Sequence, residues 1–133
     1  MTCLVALLVA TLLWLLIRRR NPDKPTSAAA ESHKGMHTVT DLSAFLRQHP
    51  DAIVLFHASW CSHCQKLLPS YAEVAANNSR PMGAVNCDEA EDIIEQYKLR
   101  GFPTILRFRN GTRVEEYHGD RSVKDLQKFC SAK

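Results

Sequence analysis

The feature that most constrains this chain is a charge-free run, Ala52-Ile53-Val54-Leu55-Phe56, that soon gives way to Cys61-Ser62-His63-Cys64. β-Branched and large apolar side chains in an unbroken run read as a strand buried on both faces, which requires covering layers above and below a sheet. After the cysteines, Cys64, Leu67, Leu68, Tyr71 and Ala75 recur at helical spacing and read as an amphipathic helix. The pair therefore belongs at a strand-to-helix junction, with Cys61 at or just before the helix start. Unpaired backbone N–H groups and the positive end of the helix dipole stabilise a thiolate there. Cys61 is the expected nucleophile. Cys64, one turn in and facing the core, is the expected resolving thiol.

The 133 residues, 45% hydrophobic and 23% charged, fit one globular domain plus an appendage. Location gives the net charge of +3 its meaning. Residues 1–36 carry five basic and two acidic side chains, whereas residues 37–133 balance twelve against twelve. The body has no basic excess to neutralise phosphates, which argues against nucleic acid as a partner. Five cysteines, Cys3, Cys61, Cys64, Cys87 and Cys130, make an odd, sparse set with one close pair, unlike the framework of a disulfide-stapled domain.

Residues 3–17 are apolar apart from Thr11 and end in Arg18-Arg19-Arg20. At about 22 Å as a helix, they fall short of a hydrocarbon core of roughly 30 Å. A signal peptide, a short signal-anchor and a mitochondrial targeting segment compete for this stretch. Trailing positive charge on a short apolar segment resembles the anchors of mitochondrial outer-membrane proteins. The mitochondrion is therefore the preferred compartment, and the secretory pathway the alternative. Residues 21–36 read as a tether and residues 37–133 as the domain.

Within the domain, Asp41 or Thr40 is expected to cap a helix that buries Leu42, Phe45 and Leu46 and ends before Pro50. Pro69 should kink the helix after the cysteines. A second inner strand spans residues 82–87, and a short helix residues 92–97. A strand over residues 104–109, the turn Asn110-Gly111 and a strand over 113–117 form a hairpin. Ser122 caps a last helix that turns Val123, Leu126 and Phe129 inward. This order, βαβα then ββα, predicts an α/β sandwich with a mixed sheet and flanking helices.

A zinc site would need two further ligands at matching spacing. No second Cys-x-x-Cys exists, and His57, His63 and His118 form no paired motif. Two inert core cysteines would need neither a preceding Trp60 nor a helix start between them. Redox chemistry is the reading that remains, with no metal. Cys87 and Cys130 read as small buried hydrophobes. Cys3 is a weak candidate for acylation. Asn77-Asn78-Ser79 and Asn110-Gly111-Thr112 fit the glycosylation pattern, which matters only in a secretory lumen.

Trp60-Cys61-Ser62-His63-Cys64, Pro69 in the following helix and Gly101-Phe102-Pro103-Thr104 resemble the thioredoxin superfamily over residues 37–131. Within it, the likeness is to a single catalytic domain of protein disulfide isomerase. His63, Val85-Asn86-Cys87-Asp88, the run at 107–111 and Tyr117-x-Gly119-x-Arg121 carry that likeness. The resemblance implies a thioredoxin fold and a cis peptide before Pro103, with Phe102, Pro103 and Thr104 forming the substrate-binding turn. It implies that Trp60 is an apolar platform, that His63 favours the Cys61 thiolate, and that Arg121 swings in to act on Cys64. A plain core tryptophan and a solvated surface arginine are the bland alternatives for Trp60 and Arg121. The couple should lie nearer the isomerase, at about −180 mV, than thioredoxin, at about −270 mV.

One departure matters. Leu55 stands where the family carries a buried Glu or Asp that relays a proton to and from the resolving thiol. Leucine cannot do this, so release of substrate should be slow. His57 is a conceivable substitute, though an exposed structural histidine is its plainer reading. The expected protein is a monomeric thiol–disulfide oxidoreductase, membrane-tethered through residues 3–17 or imported into an organelle. It needs no cofactor and takes electrons from a partner dithiol to act on protein thiols and disulfides. The competing expectation is a redox-switched binding module or holdase chaperone with weak turnover.

Overall fold

The computed structural model describes residues 35–133. The apolar segment, the arginine cluster and all but the end of the tether lie outside the described residues. The elements run β1 (Met36–Thr38), α1 (Leu42–Gln48), β2 (Asp51–His57), α2 (Ser62–Ala76), β3 (Met82–Asn86), α3 (Glu91–Gln96), β4 (Thr104–Arg109), β5 (Thr112–Glu116) and α4 (Val123–Ser131). They form the α/β thioredoxin fold as a single domain. One five-stranded sheet has the order β1-β3-β2-β4-β5. The first three strands are mutually parallel, β4 runs antiparallel to β2, and β5 antiparallel to β4.

Strand β2 sits at the centre because both its faces are apolar. Ala52, Val54 and Phe56 point into one core with Leu42, Phe45 and Leu46 of α1 and with Leu106 and Phe108. Ile53 and Leu55 point into the other, against Leu67, Tyr71 and Val74 of α2 and Leu126 of α4. Burying each large apolar side chain contributes about 1.5–3 kcal/mol, so this two-sided packing fixes the register of β2. Tyr71 is fully buried, and its hydroxyl lies 2.8 Å from the Gly83 carbonyl and 3.2 Å from that of Ile53. A buried hydroxyl without such partners would be costly.

The cap residues fall where the sequence predicts. Asp41 accepts the Ala44 N–H at 2.9 Å, and Ser122 accepts that of Asp125 at 3.2 Å. Asn110 (φ 50°) and Gly111 (φ 77°) make the hairpin turn in the left-handed region, which costs glycine nothing and asparagine little. Pro69 lies inside α2, which continues to Ala76. Two features differ from expectation. Strand β1 had no sequence signal: three residues at a sheet edge carry no period, and pairing of Met36–Thr38 with Met82–Ala84 creates the strand. It takes in Met36, the last residue expected in the tether. In α4, Leu126 and Cys130 are buried, while Val123 and Phe129 are only partly covered.

At the sheet end remote from the cysteines, Arg107 is 3% exposed and bonds Asp51 at 3.3 and 3.4 Å. Arg80 meets the same carboxylate at 3.1 Å and reaches the Cys130 and Ala132 carbonyls at the end of α4. One carboxylate thus joins β2, β4 and the C-terminal helix. Burial pulls the Asp51 carboxyl up, but the Arg107 hydrogen bond and the Arg80 charge outweigh it and leave it below its usual value. A depressed carboxylate contributes stability above its unfolded pKa of about 3.9 and loses it as pH falls through the folded value. Asp51→Asn should therefore flatten the acid limb of stability below about pH 4. At neutral pH it should cost on the order of 2 kcal/mol, by loss of a charged hydrogen bond to a buried guanidinium. Urea unfolding across pH checks both. An acid limb as steep in the variant as in the parent would contradict this role.

Candidate active site

The strand–helix junction places Cys61 at the N-cap of α2, with its Sγ accepting the Cys64 backbone N–H at 3.3 Å. A backbone donor thus points at the sulfur on which negative charge develops. The Cys61 thiol also faces the turn before β4, donating to the Phe102 carbonyl at 3.6 Å. The Phe102–Pro103 peptide is cis, so the turn and the cysteine pair adjoin. Cys61 keeps 6% exposure and Cys64 none. Both are buried, but only Cys61 retains any contact with solvent.

Both sulfurs are free thiols, as are Cys87 and Cys130. Burial, followed by the hydrogen bond the Cys64 thiol donates to Cys61, pushes the Cys64 thiol up to about 11. The Ala58 backbone and the Arg121 charge pull it back only in part. Burial likewise raises Cys87 to about 11 and Cys130 to about 12. These three thiols stay protonated at neutral pH.

Trp60 is 75% exposed and meets Phe102 edge-on, with ring centroids 6.0 Å apart. The core reading of Trp60 is therefore excluded. Phe102, Pro103 and Thr104 are half-buried beside the pair, and Thr104 donates to the Gly101 carbonyl at 2.7 Å. His63 is exposed on the first turn of α2. Arg121 is also exposed. Leu55 is fully buried and apolar, and among the described residues no acid is buried. His57 is half-buried at the end of β2, contrary to the exposed position expected. Burial lowers its pKa against the opposing charge of Asp88, so it is neutral at pH 7. Among the described residues no group of three or more His, Cys, Asp or Glu is placed to hold a metal ion.

Several residues support the site in ways the sequence did not assign, although Asp88, Tyr117 and Gly119 lie in the runs that carried the family likeness. Asp88, at the end of β3, accepts the Ser59 N–H at 2.9 Å and also takes its hydroxyl. Gln65 donates to the Ser59 carbonyl at 2.8 Å. Together they fasten the loop that delivers Trp60 and Cys61. The Tyr117 hydroxyl donates to Asp125 at 2.7 Å and accepts the Arg121 N–H at 2.8 Å. This holds Arg121 at φ 66°. Gly119 is required beneath them, since a Cβ there would overlap both the Asp125 carboxylate and the Tyr117 ring.

A slightly exposed thiol capping a helix, a fully buried thiol one turn on and a cis-proline turn against the first make up the whole arrangement. The thioredoxin family model matches residues 34–132. This chain belongs to the thioredoxin family. It is 38% identical over 96 residues to a mitochondrial thioredoxin domain-containing protein of Schizosaccharomyces pombe, covering 65% of this chain and 26% of that protein. It is 40% identical over 82 residues to protein disulfide-isomerase 2-3 of Arabidopsis thaliana, covering 59% and 19%. Human ERp44 superposes with a TM-score of 0.65 at 30% identity, covering 80% of this chain and 31% of ERp44. The chain spans about a fifth to a quarter of the length of the curated relatives it matches. These relatives place it in a thiol–disulfide oxidoreductase family.

The thiols differ enough in exposure to be told apart chemically. In the reduced full chain at pH 7, iodoacetamide should modify Cys61 first among the four described cysteines. Cys64, Cys87 and Cys130 should react only on unfolding or as pH approaches about 11. Peptide mass mapping reads the order. Early labelling of Cys64 would overturn it.

Proposed function

We propose that this domain exchanges thiols with protein disulfides through Cys61 and Cys64. The pairing of one slightly exposed sulfur with one fully buried sulfur, beside the Phe102–Pro103 turn, carries the reading. Cys61, as thiolate, attacks one sulfur of a substrate disulfide. A Cys61–substrate bond forms, the substrate S–S bond breaks, and the departing sulfur leaves with the electron pair and takes up a proton. Cys64 then gives up its proton and attacks Cys61. The substrate leaves as a dithiol, and Cys61–Cys64 becomes the disulfide. A partner dithiol restores the reduced pair, and run backwards the same steps oxidise a substrate.

The slow step is the second. A thiol near pKa 11 must be deprotonated in an apolar pocket, and Leu55 offers no carboxylate to accept the proton. The full chain should reduce insulin with a dithiol donor, and Cys61→Ser should abolish that turnover. Leu55→Glu should raise the rate at pH 7 by up to about a hundredfold, the scale of one general base. It should also lower thermal stability, because a carboxyl is then buried. A Cys61→Ser chain that retains full turnover would remove the reading.

The 75% exposed Trp60 beside Phe102 supports a second reading, a redox-switched binding surface for unfolded segments. No insulin turnover, together with suppression of aggregation that changes with oxidation state, would favour it. For the compartment, we place the domain in an organelle reached through residues 1–20. Their apolar run and arginine cluster support this, as does the relative named mitochondrial. Among the described residues no helix is long and apolar enough to cross a membrane. A fluorescent fusion should lose its organelle pattern when residues 1–20 are deleted. An unchanged pattern would refute the assignment.

A further inference from the structure

A groove with a cavity volume of about 690 Å³ opens beside the cis-proline turn. Residues 98–104 form one wall, and Arg113, Glu116 and His118 the other. Its charge is uneven. Glu116 is neutralised within the groove by Arg113, which also donates to the Tyr97 carbonyl at 3.2 Å. Lys98 and Arg100 are exposed, and among the described residues neither forms an ion pair. Two fixed positive charges therefore remain uncompensated.

Sheet topology makes this a property of one side of the site only. Cys61 follows β2; β3 ends on one flank, and β4 begins on the other with β5 beyond it. Chain leaving β3 carries Asp88, Glu89, Glu91 and Asp92. Chain on the β4–β5 flank carries Lys98, Arg100, Arg113 and Arg121, with Glu116 and Glu115 paired to Arg113 and Arg107 and Asp120 the remaining acid. The cysteine pair lies between an acidic flank and a basic one, although residues 37–133 are neutral as a whole. An extended segment lying along Phe102–Pro103 would place its side chains in the basic groove.

We propose that Lys98 and Arg100 select substrates whose reactive cysteine lies in an acidic extended protein segment. The proposal rests on the thiol-exchange reading above and names its substrate class. Exposed charges at a rim act mainly on encounter, accelerating a complementary partner and retarding a like-charged one. Their reach is about 10 Å at 0.1 M salt and about 3 Å at 1 M, so the preference must fade with salt.

The test uses the full chain with Cys64→Ala and short peptides bearing one cysteine as a pyridyl disulfide, flanked by aspartates, serines or lysines. Cys61 attacks the peptide sulfur and forms the Cys61–peptide bond. The peptide–pyridyl bond breaks, and pyridinethiolate leaves with the electron pair and is protonated to a pyridinethione that absorbs light. Subtracting the rate of the Cys61→Ser/Cys64→Ala chain removes contributions from the other cysteines. The aspartate peptide should react about tenfold faster than the serine peptide at low salt, and the lysine peptide more slowly than either. Lys98→Glu or Arg100→Glu should collapse that ratio, whereas Arg109→Glu, at the far end of β4, should keep it. At 1 M salt the ratio should approach one. Equal rates for aspartate and serine peptides, or a preference that survives both groove variants, would overturn the selection while leaving thiol exchange intact. A serine peptide that does not react with Cys61 at all would overturn both.

Discussion

The structure depends on the burial of both faces of β2. Between Asp51 and His57 the strand carries no charge and has no face to offer water, so helices must cover it on each side, and the sheet must extend beyond it in both directions. Everything at the site follows from where that strand ends. The chain leaves the core at His57, is fastened at Ser59 by Asp88, exposes Trp60 and re-enters as α2 with Cys61 at the cap. The same burial that makes the fold stable raises the thiol of Cys64, one turn into the helix. Stability and the difference between the two sulfurs share one cause.

The same core explains Leu55. It contributes to the packing without the desolvation cost of a buried carboxylate, a gain in stability. His57 is neutral and half-buried, braced at the strand end by the Cys87 N–H to its carbonyl at 2.8 Å. The electrostatic influence on Cys64 comes instead from Arg121, held in place by Tyr117 and Asp125.

Much of this was legible in the sequence, for identifiable reasons. The unbroken apolar run, the 3.6-residue period after Cys61, the Asn110-Gly111 turn and the caps Asp41 and Ser122 are local signals, and local signals survive folding. The five-stranded sheet was not fully legible, because β1 exists only through its pairing with β3. His57 read as exposed because a polar residue at a strand end gives no sign of what packs over it. Asp88, Gln65 and Asp125 were missed as supports, and the basic flank was hidden by a balanced total charge. Asp88 supports its loop from 29 residues away, and Gln65 and Asp125 meet partners six and eight residues off across a helix start; composition and period encode neither kind of contact.

The central claim is that Cys61 forms the bond to substrate and Cys64 breaks it. The most direct measurement expresses the full chain with Cys64→Ala in its native cell, quenches with acid, and identifies proteins held to Cys61 by a reducible bond. A defined set of partners, absent when Cys61 is also replaced by Ser, is the result expected. A folded, correctly located chain that traps nothing, or traps the same proteins without Cys61, would contradict the account.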